Sequence, residues 1–193
     1  MKLISINTAR VAPLIVNEHG CQQIVMSGIR KQAVAGAVSV SVRGLEGDEQ
    51  ADPSVHGGLD KAIYLYPQEH YAYWQTQRRE AIGDTEPLQP GLLGENLTTS
   101  GLLESDLWVG DRLQIGDVLL EVTEPREPCF KYAARMAYSL AVKQMVQSGY
   151  SGVYLKVIKT GSIQSGDAIT LLPGVREMSI TSINDRHRKG RRS

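Results

Sequence analysis

Short apolar runs of strand length that stop at Gly-Asp pairs restrict the fold of this chain more than any other feature. Runs at residues 3–6, 38–42, 62–66, 108–109, 112–115, 118–122, 153–158 and 169–172 alternate or cluster hydrophobic side chains, the pattern of ribbons with one or both faces buried. Gly110-Asp111, Gly116-Asp117 and Gly166-Asp167 stand between several of them. Glycine supplies the positive φ of a tight turn and aspartate caps its backbone. The expected architecture is mainly β with a few helices, a meander closed into a barrel-like domain. At 193 residues the chain suits one domain with a sizeable core.

Two segments depart from that rhythm. Pro67 has the φ of a first helical turn, so residues 67–74 are expected to be helical. Residues 139–147 place Leu140, Lys143 and Gln144 at helical spacing and stop before Gly149, a position for a left-handed cap. Residues 78–91, polar and carrying Pro87 and Pro90, read as a surface loop.

Basic and acidic residues balance at 21 each, so no global pull toward nucleic acid or a membrane surface is expected. The distribution is uneven: Arg186, Arg188, Lys189, Arg191 and Arg192 fall in the last eight residues, leaving 16 basic against 21 acidic side chains over residues 1–185. That tail is expected to be disordered and solvated, and it lacks the interleaved aromatics of an RNA-binding segment. The first residues have no apolar signal region, and no run reaches the length of a membrane span. A cytoplasmic protein is the expectation. Cys21 and Cys129 are the two cysteines, too few for a disulfide framework or for the four thiolates of an iron–sulfur cluster.

Three windows carry chemistry. Residues 44–61 hold four glycines around Asp48, Asp52, His56, Asp60 and Lys61, and Gly57-Gly58 present the His56 imidazole beside exposed amides. The window suits anion or cofactor contact, and equally a loop whose aspartates cap turns. In Gly94-Glu95-Asn96-Leu97 the Asn96 carboxamide both donates and accepts, which matches a heterocycle edge as well as an ordinary turn. In Glu124-Pro125-Arg126-Glu127-Pro128-Cys129-Phe130-Lys131 two prolines constrain the backbone around a thiol, and Arg126 and Lys131 favour its thiolate, the form that ligates metals or attacks electrophiles. Cys21, between Gly20 and Gln22, reads as a small buried side chain.

Together, Gly-Leu-Glu-Gly-Asp at 44–48, His56-Gly57-Gly58 with Asp60-Lys61, Gly94-Glu95-Asn96-Leu97, Gly110-Asp111 and Pro128-Cys129 resemble the MOSC family, named for the molybdenum cofactor sulfurase C-terminal domain. The resemblance is closest to its bacterial YiiM-like branch and covers residues 1–172, with 173–193 as a C-terminal segment. It implies a β-rich barrel that binds the molybdenum–molybdopterin cofactor in a cleft, with Cys129 as the thiolate ligand to the metal. It further implies that Arg30, Lys31 and Arg126 face the cofactor's phosphate, with Lys61 in the same cofactor-binding set, and that His56 and Asn96 line the cleft. Members of the superfamily reduce N-hydroxylated bases and amidoximes, and the YiiM-like branch is associated with detoxifying hydroxylaminopurine-type compounds. Two departures stand out: a short basic tail replaces the branch's helical extension, and the pyridoxal-phosphate region fused to the sulfurase version is lacking.

The implied activity needs protons and electrons. His56, with its near-neutral pKa, is the first candidate acid and Glu95 the second. No Gly-x-Gly-x-x-Gly fingerprint follows a predicted strand, so electrons are expected from a separate reductase. A small-molecule substrate is expected, and a homodimer stays open. Two other readings compete: a divalent-metal hydrolase using Asp48, Asp52, His56 and Asp60, and a non-catalytic carrier holding molybdopterin or sulfur on Cys129.

Overall fold

A computed structural model describes residues 1–18, 21–52 and 57–190. The elements in chain order are β1 (Lys2–Thr8), β2 (Ala12–Glu18), β3 (Cys21–Ser27), β4 (Gln32–Ala33), β5 (Ala37–Ser41), β6 (Gly44–Leu45), β7 (Ile63–Pro67), α1 (Tyr71–Ile82), β8 (Leu97–Ser100), β9 (Arg112–Ile115), β10 (Val118–Pro125), α2 (Phe130–Met136), α3 (Ala141–Ser148), β11 (Val153–Lys159), β12 (Gly161–Gln164), β13 (Ile169–Leu172) and α4 (Ile180–Gly190). The fold is mainly β with a few helices, as the alternating runs predict.

An eight-stranded sheet runs in the order β13-β9-β10-β11-β7-β8-β1-β4. It curls until the start of β13 reaches β1: the Leu3 amide donates to the Asp167 carbonyl at 2.9 Å and the Ile169 amide to that of Met1 at 3.0 Å. Backbone groups at an open edge are satisfied in this way, giving a half-barrel. A three-stranded sheet β12-β5-β6 and the hairpin β2-β3 complete the β structure. The Gly110, Gly116 and Gly166 turns all have positive φ, between 54° and 99°.

β7 is buried along all five residues because both its faces pack. Ile63 and Leu65 point into the main core with Leu3, Leu97, Leu113 and Leu155. Tyr64 and Tyr66 point the other way, into a second core with Trp74, Tyr132, Met136 and Met145 that α1, α2, α3 and the hairpin cover. The candidate site lies where β7 meets the end of β10. The β10–β11 register shifts between Val122 and Glu124, and such an irregularity bends the strand and re-aims the segment after it.

Several elements differ from the sequence-based expectations. The helix entered at Pro67 begins as a 3-10 turn, Gln68–His70, and α1 runs on to Ile82, so the expected 78–91 loop starts after Ile82. Residues 108–109 form no strand; Trp108 makes a single bridge to Ser179. The basic tail is helical through Gly190, because Ile180 is fully buried in the main core and anchors α4; residues 191–193 lie outside the described residues. Cys21 is exposed on β3 rather than buried, at an end of the hairpin where Gln22, Gln23 and Ile24 are exposed as well. Among the described residues no helix is long and apolar enough to cross a membrane.

Candidate functional site

One cavity gathers the end of β3, the 48–52 loop, β7, the 94–96 turn, the segment after β10 and the start of α2. Its frame is a set of buried polar cross-links. Asn96 accepts from the Tyr64 amide at 3.0 Å and donates to the Asn7 carbonyl at 3.3 Å and to Asp48 Oδ2 at 2.8 Å. Asp48 in turn accepts from the Ala9 amide at 2.9 Å and from Lys31 Nζ. Both side chains of that ion pair are less than a tenth exposed. Burial lowers the Lys31 pKa even though Asp48 pulls it up.

Arg126 gives the cavity its character. Its guanidinium lies 4.7 Å from the Tyr64 ring centroid and 4.9 Å from that of Tyr132, and it donates to the Leu93 carbonyl at 2.6 Å. The residue is 7% exposed, and among the described residues no carboxylate lies within ion-pair distance of it. The other charges of the lining are largely spoken for: Lys31 by Asp48, Lys61 by Glu124 at 3.0 Å, Glu49 by Arg10 at 2.7 Å and Glu127 by His187 at 3.1 Å. With Asp52 and Lys131 the lining holds four cations and four carboxylates, and Arg126 is the buried cation among them that has no carboxylate within ion-pair distance among the described residues.

Cys129 follows Pro128 and is the residue from which α2 starts, its carbonyl accepting from the Tyr132 amide at 2.9 Å. It is half-buried and lines the cavity. Tyr154 forms the wall nearby, with Lys61 Nζ 5.6 Å from its ring centroid. Burial raises the Tyr154 pKa above the ordinary phenol value, and its hydroxyl is a potential hydrogen-bond donor.

Of the residues singled out in the sequence, Lys31, Lys61, Asn96, Arg126 and Cys129 all line this one cavity. Arg30 is exposed and outside the lining. Glu95 is also outside it, fully buried, accepting from the Tyr71 hydroxyl, the Gly91 amide at 2.8 Å and the Thr98 hydroxyl at 3.1 Å. His56 lies outside the described residues. Asn96 has both its amide hydrogens and its oxygen engaged by protein, so it acts as a brace for the cavity floor. Lys131, singled out beside Cys129, lines the cavity too. Tyr64, Tyr132 and Tyr154 escape sequence reasoning: Tyr64 and Tyr154 lie on strands far from the thiol along the chain, and Tyr132 had only its closeness to Cys129 as a signal.

The donor set fits a ligand that joins a phosphate to a soft metal: a buried guanidinium with no counter-ion among the described residues, on the same lining as a cysteine. It fits a first-row metal poorly. Asp48 is committed to Lys31, Asn96 and Ala9, Asp60 is exposed, and among the described residues no three His, Cys, Asp or Glu side chains converge as metal ligands. The enclosed volume is about 100 Å³, room for a small anionic group, so an organic cofactor must extend through the open mouth.

A curled half-barrel whose cavity at one rim holds a buried arginine and a thiol defines the class, and comparison with known proteins names it. The MOSC domain model matches residues 52–170. The chain belongs to the MOSC domain family. It is 35% identical over 161 residues to the uncharacterized protein YflK of Bacillus subtilis, covering 83% of this chain and 70% of that one. It is 40% identical over 149 residues to a protein of Gibberella moniliformis named a reductase, covering 77% of this chain and 26% of that one. The crystal structure of YiiM from Geobacillus stearothermophilus superposes with a TM-score of 0.75 at 32% identity, covering 100% of this chain and 86% of that one.

Proposed function

We propose that this chain binds the molybdenum–molybdopterin cofactor in the cavity, with the Cys129 thiolate as protein ligand to the metal, and reduces small N-hydroxylated compounds of the hydroxylaminopurine and amidoxime type. Arg126 carries the reading. A buried guanidinium without a carboxylate has an unmet demand for negative charge, and a cofactor phosphate meets it beside a residue whose thiolate suits a soft metal. Membership of the MOSC family supports the same cofactor class.

When bound, the molybdenum–molybdopterin group would supply two-electron reduction of the N–O bond, which with two protons turns an N-hydroxylated amine into amine and water. The chain's own residues bind, orient and neutralise. Arg126 takes the phosphate; Lys131 lines the same cavity, as do Lys31 and Lys61, which Asp48 and Glu124 hold in place. Tyr154 offers a protonated phenol to a polar atom of the substrate. His56 is our proposal for proton delivery, because Glu95 is set back from the cavity behind Tyr71 and Thr98. Electrons are proposed to come from a separate reductase.

The test is turnover. Protein made in a molybdopterin-competent host and given 6-hydroxylaminopurine with a chemical reductant should form the amine, and Cys129→Ser should not, since a hard hydroxyl replaces the soft ligand. Cofactor retained without turnover of any N-hydroxylated compound contradicts the reductase reading and leaves a carrier.

A further inference from the structure

Behind the segment that presents Cys129 lies a second cavity of about 280 Å³, bounded by α3, α4 and residues 126–128. One wall is apolar, made by Pro128, Met145 and Val146. The opposite rim carries Arg186 and His187 from α4, and Arg126 borders this cavity as well as the first. The floor is polar and fixed: Asn184, 6% exposed, donates to the Gly149 carbonyl and to Ser151 Oγ, both at 3.0 Å.

The charges of this lining do not balance. Among its described residues one carboxylate is present, that of Glu127, and it pairs with His187 at 3.1 Å. Neither Arg126 nor Arg186 has a carboxylate within ion-pair distance among the described residues. A cavity with one apolar wall and, on its rim, the Arg186 guanidinium lacking a carboxylate partner among the described residues selects ligands that are apolar on one side and anionic on the other.

We propose that this cavity is a second binding site, for a compact organic anion whose apolar body lies on Pro128, Met145 and Val146 and whose carboxylate or phosphate pairs with Arg186. Its occupant touches residues 126–128, the stretch that leads directly into Cys129, and so is sensed at the thiol. The site exists whatever the first cavity binds.

Calorimetric titration of the full chain with phenyl phosphate and benzoate tests the proposal, with benzyl alcohol as the uncharged control. Both anions should bind more tightly than the alcohol. Arg186→Glu on the exposed rim and Val146→Phe within the cavity should each weaken phenyl phosphate on the order of tenfold, the size of a charge-assisted hydrogen bond or a blocked wall, while Lys61→Ala in the first cavity should leave it unchanged. Anions that bind no better than benzyl alcohol, or a loss that follows Lys61→Ala and ignores Arg186→Glu and Val146→Phe, overturn the site. In a Cys21→Ser background, saturating phenyl phosphate should change the rate of Cys129 alkylation severalfold. An unchanged rate overturns the link to the thiol.

Discussion

A guanidinium buried between two tyrosine rings, with no carboxylate among the described residues to answer it, does little for stability. Each desolvated cation–π contact contributes about 2 kcal/mol, and the cost of burying the charge takes back an amount of the same order. Arg126→Met should therefore change the unfolding free energy by no more than ~2 kcal/mol in urea titration while phosphate affinity falls at least tenfold. A large loss of stability with anion binding intact would make Arg126 a structural residue. Glu95 makes a different prediction. Burial holds its carboxyl above the ordinary 4.5, although the bonds from Tyr71, Gly91 and Thr98 pull the other way. The folded state then keeps a proton that the unfolded state has released, so this group's contribution to stability is present below pH 4.5 and lost as pH rises through the folded pKa. Glu95→Gln removes that dependence, and its stability relative to the parent should improve from acidic to neutral pH. A gap that moves the other way contradicts the assignment.

Elements were legible in proportion to how cleanly they divide into a buried and a wet face. β9 and β10 show apolar alternation on either side of Gly116-Asp117 and are found where expected. The hairpin β2-β3 hides from such reading: Leu14 and Val16 pack inward but Ile15 and Ile24 face solvent, so no polar face marks it. α2 has seven residues, too few for a helical period to show. α4 has a mostly polar sequence, and its order comes from tertiary contact through Ile180. Ile180→Ala should accordingly cost about 2–4 kcal/mol in thermal or urea unfolding, whereas a result near zero would mean that α4 merely rests on the core. The start of β11 gives a sharper contrast. Gly152 has a φ of 62°, and a Cβ there would come 2.4 Å from the Leu65 carbonyl oxygen and 2.8 Å from the Tyr64 and Tyr66 rings. Gly83, at a φ of 71°, would meet nothing within 4 Å. Gly152→Ala should cost about 2–4 kcal/mol and Gly83→Ala about 1 kcal/mol; equal costs would contradict the close packing of β11 on β7.

At the scale of the molecule, β7 joins two cores, because Ile63 and Leu65 serve one and Tyr64 and Tyr66 the other. Losing either core strips a face from the same strand, so the two should unfold together. In Trp108→Phe protein the remaining indole, Trp74, lies in the second core, and its fluorescence should follow far-UV circular dichroism through one urea transition. Separate midpoints would show that the cores are independent. The same junction sets the cavity between Tyr64 and the segment leading to Cys129, which is why the cationic segment was legible in the sequence and the aromatic clamp was not: Arg126 is a near neighbour of the thiol, while Tyr64 arrives across the sheet. Binding of a molybdenum cofactor at this junction through Cys129 is tested most directly by metal content. Protein purified from a molybdopterin-competent host should contain molybdenum and extractable pterin in stoichiometric proportion, Cys21→Ser should retain both, and Cys129→Ala should lose the metal. Stoichiometric zinc or manganese that is indifferent to Cys129→Ala would contradict it.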